Sequence, residues 1–168
     1  MGELERLRLS MRTKAYEMAE KLAVRGAVVA SNGFRTAIYN GKNDVEVNVV
    51  KRFNTYRIVA EGQSALFIEF GAGAAYGYGH PQANEFGYGP GTWDKDIIFH
   101  SVFPPENGPW YTVLHGKGHW DDPNGWYFTN EFGDSEHTFG NPPAMAMYRA
   151  AKEIRQNLPI VAKEVFKS

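Results

Sequence analysis

The side chains best equipped for chemistry crowd into one stretch of this 168-residue chain. His115, His119, Asp121 and Asp122 lie within eight residues, with His100 upstream, and imidazole nitrogens with carboxylate oxygens are a donor set for zinc or another divalent ion. Gly116 and Gly118 interrupt the ligands, so no helix or turn fixes them in advance. Asp94 and Asp96 are close enough to be imagined as a general acid and base, although neighbouring acids in a polar loop are usually just solvated. There is no cysteine, which excludes thiolate metal sites and disulfides. None of Ser10, Ser31, Ser64, Ser101, Ser135 and Ser168 sits in a G-x-S-x-G elbow. The clusters Gly71-Ala-Gly73 and Gly87-Tyr-Gly89-Pro-Gly91 lack the spacing and the lysine of a phosphate loop. A metal-dependent hydrolase or carbohydrate-binding module using the His/Asp/Trp loop is thus the rival to a non-enzymatic reading, in which no metal or cofactor is expected.

Charge is sharply partitioned. Residues 1–60 carry a net +5, residues 61–140 a net −9 and residues 141–168 a net +3, within a total of −1. An acidic middle speaks against duplex DNA binding there, because affinity for phosphates comes from lysine and arginine. Aromatics between its glycines could stack on bases or sugars, but basic residues do not accompany them. The start Met1-Gly2-Glu3-Leu4-Glu5-Arg6 has neither the apolar core of a signal peptide nor a Ser/Thr at position 6 for myristoylation, and no run reaches the roughly 18 apolar residues of a membrane span. A soluble, unprocessed, single-domain chain in a reducing compartment is expected, with no membrane partner.

The elements that must position any site lie mainly at the two ends. Leu4, Leu7, Met11, Ala15, Met18 and Leu22 recur at three- and four-residue steps between charged residues, which predicts an amphipathic helix over 3–31 closed by a left-handed cap at Asn32-Gly33. Val45, Val47 and Val49 alternate with polar residues, and Tyr56 to Ala60 follows, predicting a β-hairpin over 44–60. Ser64 is expected to cap a short helix over 65–70 whose Leu66, Phe67 and Phe70 face inward. A second amphipathic helix over 142–167, with Asn141 as cap, places Met145, Tyr148, Ala151, Ile154, Leu158, Val161 and Val165 on one face, and Pro159 is expected to kink it or split off its final turns. The expected fold class is α+β: a small antiparallel sheet flanked by long N- and C-terminal amphipathic helices.

Between them lies an unusual middle. Phe67-Ile68-Glu69-Phe70 stops in glycine, seven glycines fall from Gly71 to Gly91, and all four tryptophans lie between Trp93 and Trp126. Residues 71–125 read as a long Gly/aromatic-rich loop insertion, because a connection of that size without a period is uncommon unless functional or ordered by a partner. The chain is expected to return to the sheet as a strand over 126–130. Glu69, Phe70, Gly71 and Gly73 form the turn that launches the loop.

Three stretches together resemble the phage tail-component family that contains the tail terminators, or head-tail joining and minor tail proteins, of long non-contractile-tailed phages. Ala65-Leu-Phe-Ile-Glu-Phe-Gly-Ala-Gly73 is similar to the family's apolar-Glu-Phe-Gly-Thr-Gly signature. His80-Pro81 with Gly87-Tyr-Gly89-Pro-Gly91-Thr92 is similar to its glycine-tyrosine loop, and Gly140-Asn-Pro-Pro-Ala-Met-Ala-Met-Tyr148 with Ala150-Ala-Lys-Glu153 to its C-terminal helix start. Ala72 stands where threonine is usual, and Ser31-Asn-Gly-Phe34 replaces the Pro-x-x-Thr-Gly segment of many members.

The resemblance implies a structural virion protein that forms a homo-oligomeric ring, a hexamer, at the head-tail junction. Its partners would be tail-tube and head-connector proteins, and DNA would pass through without sequence-specific binding. The location would be the virion, and the host cytoplasm before assembly. In such a ring Trp93, Trp110 and Trp120 are expected to make assembly contacts, and Glu85, Asp94 and Asp96 to line the channel, since passing DNA must not be held by cations.

Overall fold

The computed structural model describes residues 2–73, 79–86, 124–129 and 132–167. Along these the chain runs α1 (Glu3–Arg35), β1 (Glu46–Arg52), β2 (Thr55–Glu61), α2 (Ala65–Phe70), α3 (Ala83–Phe86), β3 (Trp126–Thr129), β4 (Ser135–Thr138) and α4 (Ala146–Lys167). The class is α+β, with long helices at both ends and a small two-stranded antiparallel sheet after the first of them. None of the described helices is long and apolar enough to cross a membrane. Two compact units emerge: Met1–Arg35, Val45–Glu61 and Ala146–Ser168 form one, and Thr36–Asp44 with Gly62–Met145 the other.

In the first unit, α1 and α4 pack antiparallel: Lys21 pairs with Glu164 near one end, Arg25 with Glu153 further along, and Gly33 meets Ala146 at the other. The buried stripe of α1 holds Leu22, Ala23, Gly26, Ala30 and Phe34. Small residues let the partner come close: a Cβ on Gly26 would stand 2.6 Å from both Ile154 Cδ1 and Ile58 Cδ1, and one on Gly33 3.0 Å from the Ala146 Cα. Gly33 is therefore a contact residue inside the helix. The cap predicted at Asn32-Gly33 is corrected, because this packing carries the helix on to Arg35. Leu22, Val161 and Val165 form the apolar cluster, with Met18 and Ile154 against it, each fully buried side chain contributing about 1.5–3 kcal/mol by leaving water.

Of the predicted stripe only Met18 and Leu22 are covered, while Leu4, Leu7, Met11 and Ala15 are exposed. The face of α4 also differs from the prediction. Ala146, Ala150, Val161 and Val165 are buried, Leu158 is exposed, and Met145 lies outside the helix. Pro159 neither ends nor divides α4; it sits on the exposed side, where water can satisfy the carbonyl that loses its donor. The strands β1 and β2 pair from Glu46↔Glu61 to Arg52↔Thr55, and the half-buried residues alternate along β1.

In the second unit, β3 and β4 pair with each other, from Trp126↔Thr138 to Thr129↔Ser135. The expectation that the strand at 126 rejoins the first sheet is corrected: the described residues form two separate two-stranded sheets. A Cβ on Gly125, at φ 79°, would stand 2.2 Å from the Thr138 carbonyl oxygen, so glycine permits the close entry into β3. Within the span read as loop, Ala83–Phe86 is helical.

Candidate functional site

Three stretches of the second unit are tied together at the end of α2. A helix this short leaves its last carbonyls without intrahelical donors, and the segment leading to α4 supplies them. The Asn141 side-chain amide donates to the Phe67 carbonyl at 2.9 Å, the Ala144 N–H to that of Ile68 at 2.8 Å, and the Met145 N–H to that of Glu69 at 3.1 Å. Ala72 and Asn141 exchange both backbone hydrogen bonds, each 3.0 Å. Asn141 therefore serves α2 rather than capping the final helix, and α4 begins at Ala146, four residues later than predicted.

This crossing requires glycine. Gly71, Gly73 and Gly140 have φ of 78°, 89° and 93°, and a Cβ on Gly140 would stand 2.0 Å from the Ala72 oxygen, one on Gly73 2.3 Å from the Phe139 oxygen. No side chain fits such an approach of backbone to backbone.

The second tie is a buried pair. His80 Nε2 lies 3.1 Å from Glu69 Oε1, with side-chain exposures of 2% and 8%. The Gln82 N–H donates to His80 Nδ1 at 3.1 Å, which requires a lone pair there and places the ring proton on Nε2, donated to the carboxylate. The Phe70 ring packs on the imidazole with centroids 4.3 Å apart. So enclosed, the pair acts as a clasp that holds the His80 segment to α2, not as a base open to substrate.

At the other end of α2, Asp44 accepts from the Gln63 N–H at 2.7 Å, the Ser64 N–H at 3.0 Å and the Ser64 hydroxyl. The bonds from Ser64, then that from Gln63, hold its carboxyl down to about 2. The predicted Ser64 cap is corrected: its side chain caps nothing, being committed to Asp44. Leu66 and Phe67 are exposed, whereas Ile68, Glu69 and Phe70 are buried, because the carbonyl ties and the clasp turn that side of α2 inward.

Of the predicted site residues, Glu69, Phe70, Gly71 and Gly73 all lie in this knot. Glu85 is exposed on α3, where it accepts from Gln82 Nε2 at 3.1 Å. Trp93, Trp110, Trp120, Asp94 and Asp96 lie outside the described residues, as do the metal candidates His100, His115, His119, Asp121 and Asp122. Among the described residues no three His, Asp or Glu side chains gather as metal ligands would. Sequence reasoning missed the pairing of His80 with Glu69 and the role of Asn141. Both are polar residues directly before proline, where the chain is biased to extended backbone, and that was the available signal. No protein-family model, curated protein or solved structure matches this chain.

Proposed function

We propose that the protein is a structural component of a phage or prophage particle that forms a ring, a hexamer, at the head-tail junction. One observation carries the reading. Residues 65–73, His80-Pro81 and 140–145, from the three stretches in which the sequence resembles tail components, share one set of hydrogen bonds in one knot. Residues far apart in sequence and alike in motif thus have a common physical task, holding the root of the glycine- and aromatic-rich insertion.

In this reading the insertion docks on a neighbouring copy or an adjoining ring. Closed rings need two different faces per subunit, and Trp93, Trp110 and Trp120 are the anchors with the apolar area to supply one. Glu85, Asp94 and Asp96 line the passage and repel DNA phosphates. Electron microscopy of particles carrying a labelled copy of the chain tests the location: label at the head-tail junction is the expected result, and label elsewhere or none overturns it.

A further inference from the structure

The β1–β2 hairpin ends in a feature that its own folding does not require. Phe53 and Asn54 connect Arg52 to Thr55, which pair directly across the strands. Phe53 is held at φ 49°, a region that suits glycine and disfavours bulky side chains, and it is 95% exposed. Glycine would relieve the backbone and remove the exposed ring. The tip is nevertheless braced from α1: Arg12 Nε donates to the Tyr16 hydroxyl at 3.1 Å, and that hydroxyl donates to Asn54 Oδ1 at 2.6 Å. A strained, exposed aromatic on a rigid support points to a role outside the fold.

Cations lie on both faces of the hairpin beside this tip. Arg52 and Arg57 share one face of the hairpin, opposite Thr55 and Val50, in a diagonal relation that sets their Cα atoms about 7–8 Å apart. On the opposite face, turned to α1, Lys51 pairs across the strands with Tyr56 and lies over its ring, 5.3 Å from the centroid, and Arg12 of α1 lies over the ring of Tyr16. None of these four forms an ion pair among the described residues, whereas Lys21 and Arg25 further along α1 do.

We propose that this hairpin tip binds single-stranded nucleic acid that passes over it, with Arg52 and Arg57 on one face and Lys51 and Arg12 on the other meeting phosphates and Phe53 stacking on an unpaired base. Cations that track a backbone beside an exposed aromatic are the combination that holds strands without regard to sequence. A duplex keeps its base faces stacked away from such a ring, and a lipid surface calls for a broader apolar face than one side chain. The acids of the hairpin, Glu46 and Glu61, pair across the strands at the end away from Phe53. Glu20 of α1 accepts from the Tyr56 hydroxyl at 3.3 Å on the face of Lys51. The proposal does not depend on the ring reading.

Fluorescence anisotropy of the full chain with a labelled oligothymidine of about 15 nucleotides tests it. The expected slope of log K against log salt is about −2 to −3, and Arg52→Ala with Arg57→Ala reduces its magnitude by about 1.4. Phe53→Gly should weaken binding about tenfold or more while leaving the melting temperature equal or higher. Unchanged affinity in Phe53→Gly overturns the proposal, as does a loss of affinity that comes with a lower melting temperature. Tighter binding of a duplex of the same length, capture by phosphatidylglycerol vesicles without affinity for the oligonucleotide, or no salt-dependent change in anisotropy would each overturn it too.

Discussion

Glu69 Oε1 and His80 Nε2 meet at 3.1 Å, eleven positions apart in the chain and both buried. Because Gln82 occupies the other ring nitrogen, the imidazole is oriented from both sides, and the segment after α2 is held to it whatever the intervening residues do. Removing His80 leaves a buried carboxylate without this donor. His80→Ala should lower stability by about 2–4 kcal/mol, and Glu69→Gln, which keeps an acceptor in place, by about 1 kcal/mol. Urea denaturation measures both; equal effects would mean that the charge on Glu69 carries most of the interaction.

The crossing of Ala72 and Asn141 separates two costs that glycine substitutions usually mix. Gly133 and Gly140 have similar φ, 88° and 93°, but a Cβ on Gly133 meets nothing within 4 Å while one on Gly140 would collide with the Ala72 oxygen. Gly133→Ala should therefore cost about 1–2 kcal/mol from the backbone alone, and Gly140→Ala about 3–5 kcal/mol once the ladder is forced apart. Similar losses for the two in thermal unfolding would show that the bridge yields easily.

Helix propensity alone favours alanine over either glycine inside α1 by about 1 kcal/mol. At Gly26 the obstructing atoms are the ends of the Ile58 and Ile154 side chains, which can turn aside; at Gly33 they include the Ala146 Cα. Gly26→Ala should be near neutral, and Gly33→Ala should destabilise by about 1–3 kcal/mol. A Gly33→Ala variant that melts higher than the parent would mean that α1 and α4 are free to separate there.

Asp44 makes stability depend on acid. Its carboxyl, held at about 2 instead of 3.8 by Ser64 and Gln63, favours the folded state wherever it is ionised. That contribution is fully present above about pH 4 and disappears as pH falls toward 2. Asp44→Asn should be less stable than the parent at pH 7, and the two should converge by pH 2 when their denaturation midpoints are compared. A difference that stays constant over this range contradicts the assignment.

The terminal helices and the hairpin were legible because their signals are local: the three- and four-residue recurrence through Met18 and Leu22, and the alternation of Val47 and Val49. What was not legible depends on partners distant in sequence. Gly33 has the form of a helix stop, yet Ala146 makes it a packing surface. Ser64 has the form of a cap, yet Asp44, twenty positions away, claims its hydroxyl. Asn141 precedes two prolines like a helix start, and serves α2 across 74 positions. At the knot, the glycines announced a special backbone, but nothing in the spacing of Glu69 and His80 foretold that they would be buried together. Leu66 and Phe67 were misplaced for the same reason, since α2 is too short for periodicity to choose its inner side against the ties at its end.

Sedimentation velocity of the full chain, alone and with added tail tubes, tests the central claim that this knot presents an arm for ring assembly. The account predicts a closed species of about 113 kDa, six copies of 18.9 kDa, which is lost when Trp93, Trp110 and Trp120 are replaced together by alanine while the monomer keeps its melting temperature. A single 18.9 kDa species at every concentration, with tail tubes or without, would contradict it.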